Sequence, residues 1–286
     1  MMNKREYISI IKRYASPLQP VPTEMKKGGS LRAPVRAVLF DLYGTLFISG
    51  SGDITVLEGS VKRDKLYSLL KKYGLDREPE QVQEHYSASI RKEHERLHGE
   101  GFDYPEVIIE NIWKDVLGFD SPEIARNYAI EYESMFNPVW PMPHLAELLE
   151  ALRSLTLVMG IISNAQFFTP LLFEAFIGSD PFEIGFTEEL ALYSYVYGFA
   201  KPSAFLFEKA QQKLSTRGIA ASEALFVGND MLNDIYAAGR AGFQTALFAG
   251  DRRSLRLRTD DQRCSNIRPD LTVIDLLQLS EIIRVN

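Results

Sequence analysis

Apolar and polar positions along this chain change their period twice. Between residues 4 and 14, Tyr7, Ile8, Ile11 and Tyr14 recur at helical spacing, which predicts an amphipathic helix. The next stretch, PLQPVPTEMKKGGS, holds three Pro and two Gly and reads as a linker. VRAVLFD is a short unbroken apolar run, as expected of a strand buried on both faces of a parallel sheet. From about residue 59 to 136 the period is helical throughout, in VKRDKLYSLLKKYG, EQVQEHYSASIRKEHERLHGEG, YPEVIIENIWKDVLG and PEIARNYAIEYESMF. Gly74, Gly99 and Gly118 stand at helix-end positions, and NPVWPMP closes the block.

Beyond it helix and strand patterns alternate. HLAELLEALRSL, QFFTPLLFEAF, PSAFLFEKAQQKLS, NDIYAAGRAG and VIDLLQLSEIIR read as helices; TLVMGIIS, FEIGFT, EALFVGND and QTALFAG read as strands. Such alternation predicts βαβ units and a parallel sheet, so the fold class is α/β with a helical insertion after the first strand. The insertion, bordered by SGSGD and NPVWPMP, is expected to be a mobile cap.

Composition narrows the picture a little. The 286 residues suffice for one large domain or two smaller ones, and 45% hydrophobic with 24% charged residues is ordinary for a globular protein. A net charge of -6 argues against a general nucleic-acid binder. No apolar run approaches the roughly 18 residues of a membrane span. One cysteine, Cys264, permits no internal disulfide, and a reducing, cytoplasmic location is expected.

The chemistry gathers at strand ends. In an open α/β sheet ligands bind beyond the carboxyl ends of the strands. The first strand ends in Asp41, the second in Ser163 and Asn164, and a later one in GND with Asp230, followed by Asp234; Lys201 stands before Pro202 and a helix. Singly these are caps, turns or surface residues. Together they suit phosphoryl transfer: an Asp nucleophile, carboxylates for a divalent cation, and Ser and Lys as donors to equatorial oxygens.

The order LFDLYGTLF, GIISNAQ, KPSAFLF and ALFVGNDMLNDIYAAGRAGFQTALF resembles the four motifs of the haloacid dehalogenase-like hydrolase superfamily, over residues 35–286. The resemblance implies a Rossmann-like core (34–56 and 140–286), a helical cap (57–139), and an N-terminal extension and linker (1–33). It implies Asp41 as nucleophile and Mg²⁺ held by Asp41, the Tyr43 carbonyl, Asp230 and Asp234. Thr45 and Ser163 would bond a phosphate, with Tyr43, Gly44 and Asn164 around the substrate. Lys201 would balance charge, and Gly44 would turn the chain.

Two departures leave the reaction open. Phosphatases of this family carry Asp two residues after the nucleophile, as general acid; here Tyr43 stands there, as in the 2-haloacid dehalogenases, which need no metal. The fourth motif can be aligned with either Asn229 or Asp230 in the metal position. The leading expectation is a Mg²⁺-dependent phosphatase of a small phosphorylated metabolite. The alternatives are a haloacid-type dehalogenase and a non-catalytic binding module. The basic and histidine-containing positions Arg91, Lys92, His94, Arg96 and His98 read as a solvated helix face, and DRRSLRLR at 251–258 as a surface loop.

Overall fold

In the computed structural model, which describes residues 3–51 and 60–285, the unbroken apolar runs become neighbouring strands of one sheet. The elements in chain order are α1 (Lys4–Tyr14), β1 (Gly28–Gly29), β2 (Ala37–Phe40), β3 (Phe47–Ser49), α2 (Ser60–Lys72), α3 (Pro79–Gly99), α4 (Ile109–Leu117), α5 (Pro122–Phe136), β4 (Val139–Pro141), α6 (Leu145–Ser154), β5 (Val158–Ser163), α7 (Leu171–Phe176), α8 (Pro181–Ile184), β6 (Phe186–Tyr193), α9 (Ser194–Tyr197), α10 (Ala204–Thr216), β7 (Ala224–Gly228), α11 (Ala237–Arg240), β8 (Gln244–Phe248), β9 (Leu271–Val273) and α12 (Leu277–Arg284). A π-helical turn, Met231–Tyr236, leads into α11.

The seven-stranded sheet runs β1-β9-β8-β7-β2-β5-β6. Its pairings are parallel except β1 with β9. Strand β2 lies between β5 and β7, and all four of its residues are buried. Val38 and Phe40 enter the core on one face, Ala37 and Leu39 the core on the other. With both faces covered, no polar alternation is possible, which is why this strand reads as a continuous apolar run. From β2 the chain builds outward through β5 and β6 on one side, then through β7, β8 and β9 on the other. The reversal opens a crevice beyond the carboxyl ends of β2 and its neighbours.

Helices α2–α5 lie between β3 and β4, which pair antiparallel from Phe47↔Pro141 to Ser49↔Val139. This short ribbon is the stalk of the helical insert. Trp113 is its buried centre, stacked on Tyr86 at 4.3 Å between ring centroids and edge-on to Tyr128 at 4.8 Å. Part of the SGSGD border and the expected boundary near residue 57 fall outside the described residues.

Several elements differ from the periodicity. FEIGFT is not one strand: Asp180 and Glu183 form a capping box and Pro181 opens a single helical turn, so β6 begins at Phe186. In QFFTPLLFEAF the helix starts only after Pro170, at Leu171. The last apolar segment divides into β9 and α12. The Pro-rich linker is held along the core, because the Val21 amide donates to Asp251 Oδ1 at 3.0 Å and Thr23 Oγ1 donates to Ala249 O at 2.6 Å. Its Gly28–Gly29 then adds an edge strand to β9.

Helix α1 starts from a capping box between Asn3 and Glu6 and buries Ile10 and Ile11. It packs against both α5 of the insert and α7 of the core. Tyr14 Oη donates to Glu131 Oε1 on α5 at 2.7 Å, and Lys4 Nζ donates to Asp180 of the core at 3.3 Å. Helix α1 thus bridges the insert and the core.

Candidate active site

Asp41 extends β2 by one residue, its amide donating to Val227 O at 2.9 Å. The chain must then leave the sheet at once, and Gly44 does this at φ +82°. A Cβ there would stand 2.4 Å from both Asn229 Nδ2 and Ser254 Cβ, so the turn and its close packing both require glycine. Asp41 is buried, yet its two oxygens differ. Oδ1 accepts from Lys201 Nζ at 2.7 Å and Ser163 Oγ at 3.1 Å. Oδ2 meets only Thr45 Oγ1, at 3.4 Å, and that hydroxyl is equally far from Asn229 Oδ1. One oxygen is held and the other keeps its lone pairs for an electrophile.

Lys201 is brought to this point by the loop before α10. Its amide donates to Asn164 Oδ1 at 2.7 Å, and Asn164 Nδ2 returns a bond to Lys201 O at 3.2 Å. Asn164, expected beside substrate, thus fixes the backbone of Lys201 while also lining the cavity. The Lys201 ammonium also donates to Asp234 Oδ1 at 2.6 Å. Burial pulls its pKa down, but the charges of Asp234 and Asp41 outweigh that and raise it, so the ammonium stays charged. Asp234 Oδ2 accepts the amides of Asn229 and Asp230, both at 2.9 Å. Gly228 makes room for it, since a Cβ there would lie 2.3 Å from Asp234 Cγ.

Asp230 does not face Asp41 as a free carboxylate. Its Oδ1 accepts the amides of Leu232 and Asn233 at 2.8 and 3.2 Å, capping the π-helical turn. Arg258 grips it as well, Nη2 to Oδ2 at 2.6 Å and Nε to Oδ1 at 3.1 Å. Of the three carboxylates expected to hold a cation, Asp230 is paired with Arg258, and Asp41 and Asp234 share Lys201. Among the described residues no group of three His, Cys, Asp or Glu is arranged to hold a metal. A divalent cation would find Asp41 Oδ2 and neutral oxygens, a donor set that does not fit the expected site. Asn229 Oδ1 accepts from Thr45 Oγ1 at 3.4 Å, and its Nδ2 donates to Ser254 O at 2.7 Å.

The Tyr43 side chain turns from Asp41 toward Thr169, with 3.0 Å between their hydroxyl oxygens. Burial first, then the nearby Glu133, push its phenol above its ordinary pKa. It is a packed, hydrogen-bonded side chain and a poor proton donor at neutral pH.

Over this rim lies a cavity of about 420 Å³, partly roofed by the insert. Tyr86, Ile90, Trp113 and Tyr132 wall it, with Glu106 and Glu133 among them. Burial raises both carboxyls, from 4.5 to about 7. The sequence drew attention to neither acid. Glu106 precedes a β-branched pair without helical period, and Glu133 lies in a strongly patterned helix, so only the fold reveals that they share a cavity. His94 also lines it, while Arg91, Lys92 and Arg96 stay exposed as expected. DRRSLRLR, read as a surface loop, instead sends Arg256 and Arg258 to the cavity. Its cluster of arginines was the available signal.

The insert is also tied to the core directly. Gln166 Nε2 donates to Val107 O at 2.9 Å, its Oε1 accepts the Ile109 amide at 3.1 Å, and Ala200 N donates to Tyr104 O at 2.7 Å. No helix among the described residues is long and apolar enough to cross a membrane.

Comparison with known proteins agrees with this arrangement. A protein-family model described as haloacid dehalogenase-like hydrolase matches residues 35–242. No curated protein matches. Among solved structures, a 2-haloacid dehalogenase from Pseudomonas syringae pv. Tomato is 22% identical, with a TM-score of 0.55, covering 88% of this chain and 99% of its own. A phosphatase of the same superfamily from Thermococcus onnurineus is 18% identical, TM-score 0.55, covering 87% and 98%. An L-2-haloacid dehalogenase is also 18% identical, TM-score 0.52, covering 88% and 100%. At these identities the likeness is one of fold.

Proposed function

The chain belongs to the haloacid dehalogenase-like hydrolases, and from that premise we propose that it hydrolyses a small organic halide by attack of Asp41 on carbon. Asp41 Oδ2 forms a bond to the carbon bearing the halogen, and the halide leaves with the electron pair. Water then adds to the acyl carbon of the resulting aspartyl ester. The ester bond breaks, the alcohol departs, and Asp41 returns as a carboxylate; halide and one proton are the other products. Lys201 and Ser163 hold Oδ1, which leaves its partner oxygen to react.

The observation that carries this reading is the engagement of Asp230 by Arg258, beside a position 43 filled by a packed tyrosine. Together they leave neither a carboxylate cage for a cation nor an acid at position 43 to protonate an alkoxide. Halide, stable as an anion, needs no such acid in the first step; in the second, the proton lost by the attacking water goes to the departing alkoxide. Phosphoryl transfer is the second reading. Ser163, Thr45 and Lys201 around Asp41 favour it, since they are donors to suit phosphate oxygens. The dehalogenase name of two structural relatives supports the first reading, and the phosphatase name of another the second.

The test is a panel of 2-haloacids and larger halides, acyl phosphates and phosphate monoesters, each with excess chelator and with Mg²⁺. Halide release undiminished by chelator, and absent in Asp41→Asn, is expected. Phosphate release that requires Mg²⁺, without halide release, would replace this reading with the second. Arg258→Ala should uncover Asp230, so calorimetry should detect tighter Mg²⁺ binding in the variant than in the parent.

A further inference from the structure

The cavity above Asp41 differs in character from floor to roof. Its floor, at the strand ends, carries Lys201, Arg256 and Arg258 among the carboxylates of Asp41, Asp230 and Asp234. Its roof, supplied by the insert, carries aromatic and aliphatic side chains, two carboxyls and His94, and among the described residues no lysine or arginine. Burial and the neighbouring His98 lower the pKa of His94, so it adds no positive charge at neutral pH.

The two carboxyls are not equivalent. Glu106 is saturated: Oε1 accepts from Val107 N at 3.1 Å and Gln166 Nε2 at 3.2 Å, and Oε2 accepts from Ser194 Oγ at 2.6 Å. It ties insert to core. Glu133 accepts one bond, from Asn137 Nδ2 to Oε1 at 2.9 Å. The orientation of that amide is fixed, because Asn137 Oδ1 accepts from Ser49 Oγ at 2.8 Å. Among the described residues Glu133 Oε2 has no hydrogen-bond partner, although Glu133 lines the cavity. Glu133 is half-buried, and an acceptor oxygen at the cavity wall with no protein donor is free to take one from a ligand.

We propose that Glu133 is the specificity anchor of this cavity, and that the substrate has an apolar body of about one ring ending in an ammonium group. The body would lie against Tyr86, Trp113 and Tyr132, and aromatic faces also favour a cation near them. A carboxylate at the same end would meet no lysine or arginine of the insert among the described residues, and the ionised form of Glu133 would repel it. The volume of about 420 Å³ is at the small end of ligand pockets, which run from roughly 300 to 1,000 Å³. This assignment rests on the reading of Asp41 as the reacting group only for which end of the substrate reacts; the distal end is set by Glu133 whatever the reaction.

The experiment is calorimetric titration of the full chain with 2-phenylethylammonium and with 3-phenylpropanoate. The cation is expected to bind at least about tenfold more tightly. Asp41→Asn should keep that preference, which separates Glu133 from the nucleophile as its source. Glu133→Gln should abolish it. Equal or tighter binding of the anion, in the parent or in Asp41→Asn, overturns the proposal, as does a preference that survives Glu133→Gln. Should Glu133→Gln fail to fold, the ratio in the parent and in Asp41→Asn still decides. A failure to release halide leaves this ratio untouched, so the two readings fall separately.

Discussion

Around Asp41 the polar groups behind the reacting oxygen are all paired, whereas around Glu133 one oxygen has no donor among the described residues. The rim is a closed circuit: Ser163, Lys201, Asp234 and two backbone amides satisfy one another within 3.1 Å. The roof is aromatic packing into which one under-bonded acid has been set. Rigid, mutually satisfied polar groups suit a reaction common to many substrates. A hydrophobic wall with one unsatisfied polar atom suits the choice of a particular one. Chemistry and selection have thus been given to different parts of the chain.

The largest expected effect that could break this contrast is at the rim. Asp41→Asn should lower turnover by at least about 10³-fold, while the melting temperature changes little. Near-parental turnover would remove Asp41 as nucleophile. Next, Lys201→Met would leave Asp41 and Asp234 facing each other without a cation. A loss of about 3–5 kcal/mol is expected in urea unfolding, the cost of breaking a buried pair. A loss under about 1 kcal/mol, the level of an exposed pair, would mean that the rim is not interlocked.

A smaller effect is expected where α1 meets the insert. Tyr14→Phe removes a hydrogen bond to the buried Glu131, worth about 1.5–3 kcal/mol for a charged acceptor. Hydrogen exchange should quicken in α5 and not in β7; uniform change would deny α1 a particular hold on the cap. The last expected effect is a pH dependence belonging to the roof. Burial raises Glu106 and Glu133 from 4.5 to about 7. Over that window the folded chain keeps protons that the unfolded chain has released, so stability falls as pH rises from 4.5 toward 7. The double variant Glu106→Gln, Glu133→Gln should show a shallower fall in melting temperature across the same range. An unchanged slope would locate the titrating groups elsewhere.

The same division decides what could be read from sequence. Asp41, Ser163 and Lys201 follow or precede short elements with strong patterns, and strand ends converge by topology alone, so their meeting was legible. Helices α3 and α5 were legible too, since amphipathic period survives any arrangement of neighbours. The pairing of Asp230 with Arg258 was not, because 28 residues and a turn separate them and either could have faced solvent. Glu133 was hidden for the opposite reason: in a helix every fourth residue points one way, but nothing local says what stands opposite. The linker's course was not legible, because Pro and Gly mark a break in regular structure and say nothing of what the segment lies against; Gly28 and Gly29 pair with β9.

The ribbon of Phe47–Ser49 and Val139–Pro141 has a consequence of a different kind. It brings the two ends of the insert side by side, with Gly50 N donating to Pro138 O at 2.9 Å just above the last strand pair. Topologically the insert is a cassette plugged into a two-pin socket. A foreign helical cassette, or a bare hairpin turn, could be spliced between the same pins without changing the path of β2 or β5. The core could then be fitted with a new roof while its nucleophile stays in register.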